Sequence, residues 1–202
     1  MFRHLDANKL STEHQSASVL FYPGATAGEI LKRLRNDEHF LHIDPLNVGK
    51  IFVLCGTNDV DKILGVNRAQ QQDFITTRDC SVNDNKLNCT KNDITNLINF
   101  LHEWVDSATI NVINILPRFS KVRNIVINQL NEYLLELGEK NEFVNNIRFD
   151  LDRFLFSTKE GYRKSEHFLP SGTDNVHLND LGIVKLGAHL KFWAHNDEDG
   201  DN

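Results

Sequence analysis

KIFVLCGTND, residues 50–59, decides the fold. Five consecutive apolar residues, Ile51 to Cys55, run into Gly56 and the polar Thr57-Asn58-Asp59. A strand with one wet face would alternate apolar and polar residues. An unbroken run closed by glycine instead fits a parallel strand buried on both faces.

Outward from that strand, the chain alternates. Residues 2–10 read as a short helix, and ASVLFYPG (residues 17–24) as a strand ending in a Pro-Gly turn. Thr26 is placed to cap the helix AGEILKRLR. Residues 66–90 are polar and irregular, as expected of an insertion or long loop. Then NDITNLINFLHEWV carries Ile94, Leu97, Ile98, Leu101 and Trp104 at helical spacing, and TINVINILP is a strand ending at Pro117. SKVRNIVINQLNEYLLELG reads as a helix with Gly138 at its C-terminal end. NEFVNNIRF is the last strand and LNDLGIVKLGAHLKFWAH the closing helix.

Helix and strand in alternation imply a three-layer α/β/α fold, flavodoxin-like in its layering, with a parallel sheet and helices on both faces. Such sheets bind ligands beyond the carboxyl ends of their strands. Gly24, Gly56 to Asn58, and Pro117-Arg118 all fall at such ends.

The 202 residues favour one domain, residues 1–195, followed by an acidic tail at 196–202. The net charge is −6, but HNDEDGDN carries four of the acids, leaving about −2 for the body. That balance argues against a broad nucleic-acid surface and leaves room for a local basic patch. No apolar stretch reaches the roughly 18 residues that a membrane span needs. The first residues, MFRHLDANKLS, lack the apolar core of a signal peptide. Three cysteines without an export signal fit a reducing, cytoplasmic setting. No spacing of His, Cys, Asp or Glu matches a zinc site, so neither metal nor cofactor is expected.

The chemistry lies in DNVHLND, residues 174–180, taken together with the loop after the first quoted strand. Acyl transfer needs a nucleophile, a base, a group that orients the base, and oxyanion donors. His177 can serve as base and Asp174 as its orienting carboxylate. Asn58 can donate its side-chain amide, and Gly24 its backbone N–H. Each also has a plain structural reading: Gly24 as a turn glycine, Asn58 as a turn residue bonded to its own backbone, Asp174 as a helix cap, His177 as a surface histidine. Their joint occurrence at one end of the sheet favours the site.

The set resembles the SGNH (GDSL-type) hydrolase superfamily. YPGATAGEI is similar to its second block, CGTND to the Gly-x-Asn-Asp third block, and DNVHLN to the Asp-x-x-His fifth block. YPGATA and VHLNDLG most resemble the branch containing the OSK domain of Oskar and esterase-like domains of retroelements. The resemblance implies Gly24 and Asn58 as oxyanion residues, Asp174 and His177 as acid and base, and a small ester as substrate. It also implies a first block, a strand ending in Gly-Asp-Ser, that is absent from these 202 residues. No nucleophile replaces that serine: Ser11, Ser16 and Ser18 precede a strand rather than follow one, and Cys55 belongs inside its strand. A central strand buries about five side chains at roughly 1.5–3 kcal/mol each, so a chain without it is expected to be marginal unless something completes the sheet.

Two functions follow as expectations. One is an OSK-like scaffold, inactive as it stands, that binds RNA or protein, with Arg118, Lys121 and Arg123 as RNA contacts. The other is a serine esterase once an upstream Gly-Asp-Ser strand is supplied.

Overall fold

The computed structural model describes residues 6–13, 15–66, 81–118, 120–148, 155–158, 161–164 and 178–195. Among them, three parallel strands form one sheet in the order β1 (Lys50–Val53), β2 (Thr109–Ile113), β3 (Val144–Ile147). Lys50 pairs with Thr109 and Val53 with Val112, and Ile110 pairs with Val144 and Ile113 with Ile147. The helices are α1 (Ala7–Leu10), α2 (Ala27–Leu34), α3 (Glu38–Leu41), α4 (Asp59–Ile63), α5 (Asp84–Trp104), α6 (Lys121–Lys140) and α7 (Asp180–His195). An antiparallel hairpin, β4 (Leu155–Thr158) with β5 (Gly161–Lys164), stands apart from the sheet.

Alternation along β1 builds the layers. Ile51 and Val53 pack into a core with Leu97, Ile98 and Leu101 of α5 and Ile127, Leu130 and Leu134 of α6. Phe52 and Leu54 face the second core, made with Ile113, Ile147 and Ile183, Leu186 and Leu190 of α7. The sheet therefore lies between helices on both faces, the three-layer α/β/α arrangement. Each face of β1 meets one of the two cores, as the unbroken apolar run implied.

β1 is the outer strand of this sheet, and Ile51, Phe52 and Leu54 are only half-buried, whereas β2 is buried from Ile110 onward. The strand expected at residues 17–24 is not found. Residues 17–22 join no ladder, although Leu20 and Tyr22 still pack against the main core. Apolar patterning marks a segment for burial, but strand pairing also requires a neighbour within about 4.8 Å. Leu20 and Tyr22 are partly buried without one.

Helix boundaries also differ from expectation. α5 begins at Asp84, not beyond residue 90, because Leu87 and Thr90 continue the buried face of Ile94 and Leu97, and Asn83 caps the end by accepting from Lys86 N–H at 3.0 Å. α6 continues two residues past Gly138. That glycine lies where the helix meets β3: an added Cβ would sit 3.4 Å from Val144 O and from Asn146 Cβ.

Candidate active site

Residues 22–27 and 56–59 form two loops that meet beyond the carboxyl end of β1. The first is a type II turn: Ala25 N–H donates to Tyr22 O at 3.2 Å, Pro23 takes the second position, and Gly24, at φ 70°, the third. The turn alone accounts for a glycine there. In the second loop Gly56 has φ 88°, and a Cβ on it would lie 2.6 Å from Ile115 Cδ1, so glycine is required twice over.

Two consecutive side chains clip the loops together. Asn58 Nδ2 donates to Ala25 O at 2.9 Å, and Asp59 Oδ2 accepts the Ala27 N–H at 3.0 Å. Asn58 is thus not a self-bonded turn residue; its amide reaches across 33 positions of sequence. Gly24 and Asn58 are brought to one exposed corner through Ala25.

Asp59 is fully buried and sits at the first N–H of α2, where a carboxylate suits the helix dipole. Thr90 also donates to it, at 3.4 Å. Burial nevertheless pushes its pKa up to about 6, only partly offset by the Ala27 N–H. Thr26 stands at the N-cap as expected, with the Glu29 carboxylate accepting from its N–H at 2.8 Å and its hydroxyl at 3.2 Å.

A second carboxylate, Asp61, holds two arginines. Arg118 Nη1 lies 2.7 Å from Asp61 Oδ2 and Arg123 Nε lies 2.6 Å from Oδ1. Burial pushes the Asp61 carboxyl up, but the Arg118 charge and both arginines' hydrogen bonds outweigh it, leaving the pKa below its ordinary value. Arg118 Nη2 also donates to the Thr57 carbonyl. This cluster corrects the expected RNA contacts. Arg118 and Arg123 are buried, at 4% and 7% exposure, and only Lys121 is exposed. Two guanidiniums bound to an internal carboxylate cannot form a surface patch. Sequence reading placed these cations correctly at a strand end but missed Asp61, whose only signal was a second acid two residues after Asp59.

Asp174 and His177 lie outside the described residues. Leu178, which follows them, is buried with Ile113, Leu116 and Ile147 at the carboxyl ends of β2 and β3. Cys55 is buried, and burial together with the nearby Asp59 charge pushes its thiol up to about 12, so it offers no thiolate. The Ser11 hydroxyl donates to Ala7 O and accepts from Ala17 N–H. Among the described residues no group of His, Cys, Asp and Glu could hold a metal ion, and no helix is long and apolar enough to cross a membrane.

No family model matches the chain, and no curated protein matches it. A solved structure does, described as "a putative platelet activating factor from Streptococcus pneumonia". It superposes with a TM-score of 0.59 at 22% identity, over 85% of this chain and 69% of that one. At that identity the likeness establishes the fold.

Proposed function

We propose that this chain is an SGNH-hydrolase-like domain whose Gly24–Asn58 corner receives the carbonyl oxygen of a small acyl or acetyl ester. The observation that carries the reading is the Asn58–Ala25 hydrogen bond. A carboxamide has two N–H donors, and one bond to Ala25 O fixes the plane of the group while leaving the other for an oxygen that gains charge. Asp174 and His177 are the proposed acid and base. Leu178, buried at the carboxyl ends of β2 and β3, supports that assignment.

Hydrolysis further requires a nucleophile, and the described residues offer none. On this reading the corner receives an ester, and the domain becomes a serine esterase when a strand ending in Gly-Asp-Ser is supplied. The test fuses such a strand to the N-terminus and follows p-nitrophenyl acetate. The expected result is turnover in the fusion that His177→Ala abolishes, and none in the 202-residue chain. Turnover by the unextended chain that depends on His177 refutes the missing nucleophile. A folded fusion without turnover refutes the esterase.

The alternative is an OSK-like binding scaffold. The exposed apolar residues Leu181, Val184 and Phe192 of α7 favour a protein partner over RNA, given that Arg118 and Arg123 are buried.

A further inference from the structure

The loops that follow β1 and β2 are joined by a chain of hydrogen bonds that begins on α6. Asn124 and Asn131 lie seven residues apart, on one face of that helix. Asn131 Oδ1 accepts the Ile115 N–H at 2.8 Å and its Nδ2 donates to Ile115 O at 3.0 Å. Asn124 grips Arg118 in the same way, at 2.8 Å on both sides. Each carboxamide satisfies both backbone groups of one residue, as a neighbouring strand would. Residues 115–118 are thereby laid along α6 in a fixed register.

Held there, Arg118 spreads its guanidinium between two acceptors, the Asp61 carboxylate and the Thr57 carbonyl. That carbonyl belongs to the peptide whose N–H is Asn58's own. Because a peptide is planar, fixing its oxygen fixes the direction in which Asn58 leaves it. Arg123 reaches the same Asp61 carboxylate from α6.

Stability alone is a weak reason for such a cluster. Buried ion pairs often match apolar replacements only evenly, since desolvating the charges offsets their attraction. A rigid planar fork with two acceptors does, however, set geometry in a way that a single ammonium cannot.

We propose that Arg118 is a positioning residue: by holding the Thr57–Asn58 peptide it aims the Asn58 carboxamide at the oxyanion corner. What Asn58 does there rests on the ester reading, but where it is held does not.

The test compares Arg118→Lys with Arg123→Lys in the full 15N-labelled chain. Both cut one guanidinium from Asp61; Arg118 is the one bonded to the Thr57 peptide. The readout is the side-chain amide proton pair of Asn58, assigned by its disappearance in Asn58→Asp. The expected result is a displaced or lost pair in Arg118→Lys and an unmoved pair in Arg123→Lys, with the backbone amides of β2 and β3 unchanged in both. If Arg118→Lys does not fold, Asn124→Ala, which frees the backbone of Arg118 but keeps its charge, is read in the same way. An unmoved Asn58 pair, or an equal displacement in Arg123→Lys, overturns the proposal. Failure of the ester reading would look different: no turnover in the strand fusion, with the Asn58 pair still dependent on Arg118.

Discussion

Asp59 accepts the first backbone N–H of α2, from Ala27, at 3.0 Å, while the residue before it binds Ala25 O. Two neighbouring side chains on one loop therefore hold a donor and an acceptor on another. A carboxylate in that place has its charge matched by the helix end but loses its water. The loss dominates, and the pKa rises to about 6.

This gives a pH dependence of definite sign. Between pH 3.8 and about 6 the folded chain keeps the Asp59 proton while the unfolded chain has lost it. Stability from this group is full below pH 3.8 and falls as pH rises to about 6, by about 3 kcal/mol in total. Asp59→Asn keeps an acceptor for Ala27 and removes the titration. The difference between wild-type and variant unfolding free energies should therefore grow in the variant's favour from pH 4 to 6.5 and then level off. Urea titrations across that range check it; a flat difference would mean that Asp59 titrates normally.

Asp61 acts in the opposite direction. Its pKa is lowered, so its contribution is present above pH 3.8 and is lost as pH falls through the folded value. Replacing it by Ala leaves two buried guanidiniums without their carboxylate and should cost about 3–5 kcal/mol. Changing Arg118, Lys121 and Arg123 together to Glu should unfold the chain. Lys121→Glu alone, exposed at the first position of α6, should add about 0.3–1 kcal/mol, because an acid suits a helix start. Melting temperatures of the three variants separate these outcomes.

Asn58→Ala removes one cross-loop hydrogen bond and should cost about 1 kcal/mol in the 202-residue chain. In the strand fusion it should lower turnover by roughly 10²–10³, the usual effect of deleting an oxyanion donor. Full activity after that loss of stability would reduce Asn58 to a loop clip.

Gly56→Ala should be more damaging than Gly49→Ala. At Gly56 the backbone is left-handed and the new methyl would meet Ile115, whereas nothing lies within 4 Å of a Cβ on Gly49. Ile115→Val should relieve the contact but not the backbone strain, so rescue of the double variant should be partial. Thermal unfolding of the four chains measures both parts.

β1 was legible as an unbroken apolar run and β2 as a mostly apolar one, whereas β3 offers only Val144 and Ile147 on either side of two asparagines. Residues 17–24 misled because Leu20 and Tyr22 are apolar for the core, not for a ladder. α5 was under-read because Asn83 to Lys91 shows solvent one polar face, and only Leu87 and Thr90 betray the helix. The β4–β5 hairpin gave no pattern strong enough to read. At the site, Gly24, Asn58 and the strand ends were visible as residue types. The buried Asp61 cluster was not, because ion pairing between residues 57 positions apart leaves no local trace.

Lys50, the first residue of β1, donates its ammonium to Trp193 O at 3.3 Å and to Ala194 O at 3.2 Å, at the C-terminal end of α7. During synthesis β1 therefore waits for about 140 further residues before this tie can close, and until then Phe52, Leu54, Ile113 and Ile147 lack the helix that covers them. The opposite face, served by α5 and α6, can assemble much earlier. A nascent chain should thus pass through a stage with one finished core and one sticky face, the kind of intermediate most prone to aggregate and to occupy chaperones.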